Sequence, residues 1–485
     1  MMALVLLLAP PLLASLLALA VRRDTRLVGG VGVVLNGISL VAGIWLVATV
    51  LWGGVPVAGS QFWRVDALSA LLTLCITGVA FIASVFYPGL DASDQYDASQ
   101  IRRFRIFVNA FALTMLVAVT TANVAFMWVT IEATTITSAI VIPLHRTKAS
   151  VEASWKYLLI CSVGIALAFA GTVLAYFDFV STSGHLPDAL NWMVLRGAAP
   201  SLHPELMKLA FAFILIGYGT KAGLAPMHTW LPDAHSEAPA PMSAMMSGVL
   251  LAVAMYAVAR WKAVVDATLM SSAFTSSLLM ALGLLSVTIG AASLVIQRHY
   301  KRMLAYSSVE HIGLVSVGLA LGPLGAFAAL LHLVNHAIAK SMAFLLAGRI
   351  LHRYKTTEIG QVSGLLRVMP WTGTLFALGI LALIGLPPFG LFISEFLLVR
   401  AAIATGHFWV AALTLLLILV AFVSLLSHLN RMLYGAVPEG VVVGERPGWG
   451  VITLAGCAVA SLVLGLILPW PLVALIDRSV AIVAP

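Results

Sequence analysis

The sequence predicts an all-α polytopic membrane protein with about fourteen transmembrane helices, on three observations. Hydrophobic residues fill 61% of the 485 positions and charged residues only 9%, against roughly a quarter charged in soluble domains. Apolar runs of about 20 residues, enough to span a bilayer, recur from end to end. The basic residues fall unevenly among the connections between those runs. So little polar surface cannot cover a soluble globule of this size. That excludes a soluble enzyme, a nucleic-acid-binding module and a disordered chain together. Cys75, Cys161 and Cys457 all lie in apolar stretches without paired spacing, so neither a disulfide framework nor a metal site is expected.

The spans are read in order at 3–20, 28–52, 66–88, 106–121, 123–143, 157–177, 207–224, 240–259, 273–296, 303–321, 325–347, 371–396, 409–429 and 449–476. The first has no small-residue cleavage site and runs straight into Arg22-Arg23-Asp24, so a retained span is expected rather than a cleaved signal. The connections are loops only, and no soluble domain fits between them. With the N-terminus outside, the cytoplasmic connections hold Arg22, Arg23, Arg26, Arg102, Arg103, Arg105, Arg146, Lys148, Lys156, Arg298, Lys301, Arg302, Arg349, Arg353, Lys355, Arg367, Arg431 and Arg446. The outer set is Arg64, Arg196, Lys208, Arg260, Lys262, Arg400 and Arg478. This asymmetry satisfies the positive-inside rule and places both termini outside. The formal net charge of +8 is thus a topology signal, and a nucleic-acid partner is not expected.

Lys221 and Lys340 belong to neither set, because they lie inside spans seven and eleven. Glu132 (FMWVTIEATTITS), Glu310 (AYSSVEHIG) and Glu395 (GLFISEFLLV) lie inside spans five, ten and twelve. A charge at mid-bilayer costs at least about 2.5–3.5 kcal/mol on insertion scales. One such residue could belong to a structural ion pair. Five in five different spans fit better with a proton relay, in which acids and bases alternate through the membrane. His332, His336 and Lys340 are spaced four apart and share one helix face, and imidazole passes protons near neutral pH. Ser307, Ser308, Glu310 and His311 form a matching polar cluster in span ten. The basic run Arg298–Arg302 before it is read as a cytoplasmic anchor.

Two spans carry breaks. Gly217, Gly219 and Gly223 surround Lys221, with Pro226 following, and Gly385-Leu386-Pro387-Pro388-Phe389-Gly390 precedes Glu395. Proline removes a helix hydrogen bond, and open backbone within a membrane must be buried in protein or line a watery cavity. A broken helix beside a buried ionisable group in both halves is the pattern of an inverted-repeat transporter. GLAP at 223–226 echoes GLPP at 385–388. The expected organisation is an N-terminal three-helix segment (1–105), two inverted five-helix repeats (106–262 and 273–430) and a C-terminal helix (431–485).

The stretch TKAGLAPMHTWLPDAHSEAPAPMSAMMSG (220–248) resembles the signature of the proton-conducting membrane subunits of respiratory complex I. Large subunits of Mrp-type cation/proton antiporters and membrane subunits of group 4 hydrogenases share it. KRMLAYSSVEHIG (301–313), HLVNHAIAKSMAFLLAG (332–348) and GLPPFGLFISEF (385–396) resemble its later motifs, in the same order. The resemblance covers roughly 106–430. WKYLLICSVGIALA (155–168) and the glutamate at 395 lean toward the hydrogenase-4 F-type subunit. The resemblance implies a proton relay through Glu132, Lys221, Lys340 and Glu395, with Glu132 paired to Lys221. It matches His336 to the histidine one turn before the central lysine; His332, Glu310 and His311 stand as candidate relay groups from their placement in the spans, and His228, in the signature loop, as a further one. The resemblance also implies a bacterial or archaeal inner-membrane complex with other membrane subunits and a peripheral redox arm. The chain itself has no Cys cluster, G-x-G-x-x-G fingerprint or haem-ligand pattern, so no redox cofactor is expected in it. A Mrp-type Na⁺/H⁺ antiporter subunit without a redox partner is the alternative reading.

Overall fold

The computed structural model describes residues 1–21, 25–59, 61–86, 96–184 and 188–484, and at 25 and 26 the backbone alone. Arg22, Arg23 and the side chain of Arg26 lie outside the described residues. A helix stands in every apolar run. Three open the chain: α1 (Met2–Ala20), α2 (Thr25–Leu51) and α3 (Ala67–Ser84). A small antiparallel hairpin of β1 (Val57–Ala58) and β2 (Trp63–Arg64) separates the last two. Then follow α4 (Ala98–Thr120), α5 (Val124–Ala139), α6 (Lys148–Ser183), the short α7 (Trp192–Ala198) and α8 (Pro204–Ala222). The middle is α9 (Trp230–Glu237), α10 (Ala240–Leu269), α11 (Ala273–Val295), α12 (Tyr300–Ala320) and α13 (Gly322–Tyr354). The chain closes with α14 (Pro370–Leu383), α15 (Gly390–Ala404), α16 (Phe408–Leu433), α17 (Trp449–Leu466) and α18 (Trp470–Val483).

Among the described residues, twelve helices are long and apolar enough to cross a membrane, and α5 and α14 are shorter apolar helices. The chain is an all-α polytopic membrane protein. α10, α12 and α13 are almost wholly buried and form the centre, while α1, α2, α16 and α17 turn most of their surface outward. Side-chain caps fix several starts: Asp66 accepts from the Ser69 amide at α3, and Asn123 from the Phe126 amide at α5. Asp97 with Gln100 and Thr147 with Ser150 close reciprocal caps at α4 and α6. Each removes an orphan donor from a helix start.

α6 and α8 pack closely because small residues face each other. A Cβ built on Gly217 would lie 2.4 Å from the Ala168 backbone nitrogen and 2.6 Å from the Gly164 carbonyl oxygen. Such approach is how membrane helices gain packing without a hydrophobic drive between them. Gly217→Ala is therefore expected to destabilise the chain by about 1–3 kcal/mol, the usual cost of overpacking. Gly456→Ala, where nothing lies within 4 Å, should show no loss when both are melted in detergent.

The break expected at 385–390 in the span read at 371–396 is present, with α14 and α15 parted by the Gly385–Phe389 turn. Three other sequence expectations change. The single helix expected within 431–485 is two, α17 and α18, because Pro469 stands at the N-cap of α18. The last helix of the 106–262 block continues to Leu269, and it holds Arg260 and Lys262 in its buried interior, 3% and 2% exposed, rather than in a loop. Arg260 makes two 2.7 Å bonds to Asp66, and its guanidinium lies over the Trp192 and Tyr256 rings. Lys262 pairs with Asp266. Lys301, read as part of a cytoplasmic anchor, is 2% exposed and donates to the Ser236 and Ala238 carbonyls. Asp66 lies 194 positions from Arg260, and Ser236 and Ala238 lie 65 and 63 from Lys301, contacts that loop counting cannot see.

Candidate functional site

The first cluster gathers where α5, α6 and α8 meet. Lys221 occupies the last turn of α8 and is fully buried; a cation there faces the negative end of the helix dipole. The helix stops at Gly223, whose φ of +79° is left-handed, a conformation glycine adopts freely. The Trp230 indole nitrogen donates to the freed Thr220 carbonyl. Lys221 Nζ donates to Thr135 Oγ1 at 2.7 Å and to the Tyr157 hydroxyl at 2.8 Å. Thr135 in turn donates to Glu132 Oε2 at 3.0 Å, and Ser162 donates to Glu132 Oε1 at 2.7 Å. The resemblance implied a Glu132–Lys221 pair; here the two are joined through the Thr135 hydroxyl, with no direct ion pair. Glu132 is only half-buried, between the exposed Val129 and Ile136 on the outer face of α5.

The second cluster lies among α12, α13 and α15. Lys340 is fully buried and donates to the Leu304 carbonyl and to Ser307 Oγ. Glu310 and His311, on α12, are 3% and 1% exposed. His311 Nδ1 lies 3.0 Å from His332 Nε2, and His332 Nδ1 lies 3.0 Å from Ser394 Oγ. Ser394 donates its own proton to the Leu391 carbonyl, so it accepts from His332 Nδ1. His332 Nε2 then accepts from His311, and the network assigns both tautomers. One ring nitrogen from each histidine and a carboxylate oxygen of Glu395 all lie within 4.8 Å of one another. His336 stands 5.3 Å from His311, ring to ring, with neither nitrogen hydrogen-bonded.

Glu395 folds back over the α14–α15 turn. Gly385 has a left-handed φ of +65°, and a Cβ there would push the Glu395 carboxylate out of its present position. Asn335 on α13 holds the start of α15 through the Gly390 carbonyl. The two breaks correspond in detail: each has a left-handed glycine, a cis X–Pro bond (Ala225–Pro226 and Pro387–Pro388) and a buried ionisable residue nearby.

Between the clusters stands His235, fully buried with both ring nitrogens unpartnered. Its ring lies 5.9 Å from Trp230 and 5.8 Å from Phe344, and Trp230 lies 4.8 Å from Tyr157. α10 contributes a π turn at Met246–Leu250, from which Ser247 Oγ meets Ser308 Oγ at 2.7 Å. His228 is 8% exposed, its ring 6.4 Å from Tyr306, and it joins neither hydrogen-bonded cluster. A cavity of about 620 Å³, lined by Ser236, Glu237, Lys301, Arg349 and Arg353 among others, opens immediately beyond His235 in the chain.

The structure thus brings Glu132 and Lys221 into one network and gathers His311, His332, His336 and Glu395 into another, next to Glu310 and Lys340. Thr135, Tyr157, Ser162, Ser394 and His235 escaped the sequence reading. Thr135 is one turn from Glu132, Ser394 adjoins Glu395, and His235 lies inside the 220–248 signature, so three had a local signal. Tyr157 and Ser162 lie inside the 155–168 stretch quoted for the resemblance, but nothing there set them apart from its apolar neighbours.

Known proteins resemble this chain in sequence and fold. A family model described as NADH:quinone oxidoreductase/Mrp antiporter, TM, matches residues 121–421. The chain is 38% identical over 391 residues to a hydrogenase-4 component F homolog of Methylacidiphilum infernorum, covering 78% of this chain and 80% of that one. It is 32% identical to hydrogenase-4 component B of Escherichia coli over 78% of this chain, and spans 56% of that longer relative. A chain of an archaeal membrane-bound sulfane sulfur reductase superposes with a TM-score of 0.88 at 26% identity, over 99% of this chain and 97% of that one. With two buried acid–base clusters, two matching helix breaks and this agreement over most of its length, the chain belongs to the NADH:quinone oxidoreductase/Mrp antiporter family, as an antiporter-like membrane subunit.

Proposed function

We propose that this chain carries protons across a bacterial or archaeal inner membrane as one subunit of a redox-driven complex, with both termini outside. Partner membrane subunits flank it, a peripheral arm carries the electrons, and this chain holds no redox cofactor of its own. The observation that carries the reading is the pair of buried, hydrogen-bonded acid–base clusters, each ending at a helix break. A purely structural role gives no reason to keep Glu132, Lys221, Lys340 and Glu395 against their insertion cost. Hydroxyl and imidazole links suit protons better than Na⁺, which needs a cage of oxygen ligands; this favours the redox-complex reading over the Na⁺/H⁺ antiporter.

Protons enter through the cavity at Ser236 and Lys301. Lys221 holds its proton while Thr135 ties it to Glu132. When a charge in a neighbouring subunit draws Glu132 outward, Thr135 turns with it, and Lys221 releases its proton toward Lys340 by way of His235. The two halves act as inverted repeats, so Lys340 hands on in the same manner through His336 and the His311–His332 pair to Glu395, with Glu310 as the local counter-charge. The proton leaves past the Gly385–Phe389 turn, and His228 hydrates the first break.

The test is a complex carrying Glu395→Gln, assayed first in detergent for electron transfer and then in sealed vesicles for proton uptake. Electron transfer should persist at the wild-type rate while proton movement falls to the leak. Full pumping by this variant would overturn the reading.

A further inference from the structure

The meeting point of α12, α13 and α15 has the makings of a second kind of site. His311, His332 and Glu395 come from three different helices, and their ligand atoms lie within 4.8 Å of one another. All three are more than nine-tenths buried. Tetrahedral zinc with bonds of about 2.0–2.1 Å to nitrogen sets its ligands about 3.3 Å apart. The two facing imidazole nitrogens are already at 3.0 Å, so a metal needs the rings to part by only roughly 0.3 Å, while the Glu395 carboxylate, within 4.8 Å, swings in by up to about 1.5 Å.

The tautomers are also right. His332 donates its Nδ1 hydrogen to Ser394, which leaves Nε2 as a free lone pair toward His311. Metal-bound histidines commonly hold their other ring nitrogen in this way. On His311 the hydrogen shared with His332 sits on Nδ1, while Nε2 makes no hydrogen bond. Shifting that hydrogen to Nε2 frees Nδ1 without any net loss of a proton. Two imidazoles and one carboxylate suit zinc and its neighbours rather than magnesium or calcium, which require oxygen ligands. A fourth position stays open to water.

We propose that His311, His332 and Glu395 form a binding site for a divalent transition metal of the zinc class, which takes the place of the hydrogen shared by the two imidazoles. The metal and the transported proton then compete for one set of lone pairs, and bound metal blocks the chain. Access is short, because Glu395 lies against Gly385 in the turn whose Pro387 and Pro388 are exposed. Glu310 adds a second carboxylate close by, while Lys340 opposes with its positive charge; the balance sets an affinity below that of structural zinc sites.

The test is equilibrium dialysis of radioactive zinc against the full-length chain, purified in detergent and washed with chelator. Wild type should bind one equivalent more than His311→Gln and one more than Glu395→Gln. His407→Ala, in an exposed turn remote from these residues, should bind as wild type does. Circular dichroism and gel filtration verify that each variant is folded, and the near-isosteric Glu395→Gln supplies the result if His311→Gln is not. A wild-type chain that binds no zinc, or variants that bind as much as wild type, overturns the site. The readout is metal binding alone, so it stands apart from whether the chain pumps protons.

Discussion

Replacing Lys221 with alanine is expected to abolish proton translocation by the assembled complex while electron transfer in detergent continues. Among the described residues Lys221 is the cation of the first cluster, and its ammonium is held by Thr135 and Tyr157 at 2.7 and 2.8 Å. Alanine removes the proton carrier and leaves Glu132 with hydroxyl partners only. Vesicle uptake measured with a pH-sensitive dye should fall to the passive leak. Thr135 grades the effect, because its hydroxyl accepts from Lys221 and donates to Glu132 and so joins the two by hydrogen bonds. A hydrogen bond to a charged group contributes about 1.5–3 kcal/mol, roughly a ten- to hundredfold shift in the equilibrium it controls. Thr135→Val should therefore slow transport by about that factor, and Thr135→Ser should restore it. Normal transport in Lys221→Ala would remove the first cluster from the path. Equal rates in the valine and serine variants would show that Glu132 acts on Lys221 without the hydroxyl.

What the sequence discloses and what it hides divide along a physical line. A charge in an apolar run is costly wherever it sits, so Glu132, Lys221, Glu310, Lys340 and Glu395 were legible from composition alone. The breaks were legible because proline and glycine act on their own backbone. For Thr135 and Ser394 nearness to a glutamate was not enough, since a hydroxyl in a membrane helix can satisfy itself on a carbonyl three or four residues back, as Thr134 and Thr172 do here. Only tertiary contact separates the bridging hydroxyl from the self-satisfied one. Tyr157 illustrates the same limit: in sequence it opens the apolar span read at 157–177, and its contact with Lys221 spans 64 positions. The half-burial of Glu132 is likewise a property of the packed surface, and it is what allows a neighbouring subunit to act on this residue.

Asp66→Ala is expected to destabilise the chain by about 3–5 kcal/mol, the cost of leaving one member of a buried ion pair without its partner. Arg260 is 3% exposed and makes both of its carboxylate bonds to Asp66. Without Asp66 it keeps the Ser69 hydroxyl and the faces of Trp192 and Tyr256, which offset part of the charge but cannot neutralise it. Asp66 also caps α3 through the Ser69 amide, a contact worth about 1 kcal/mol. Asp66→Asn separates the two contributions: asparagine can still cap the helix, so its deficit reports the charge alone. The double variant Asp66→Leu, Arg260→Met should recover much of the loss, because a well-packed apolar pair can match a buried ionic one. Melting temperatures of the detergent-solubilised chain measure all three. The pair ties α3 and the Trp192 turn to the central α10, and it stands outside both acid–base clusters. If the double variant regains stability and still pumps, Asp66 and Arg260 serve the fold. If it is stable but silent, the proton path reaches further toward the N-terminal helices than the two clusters alone require.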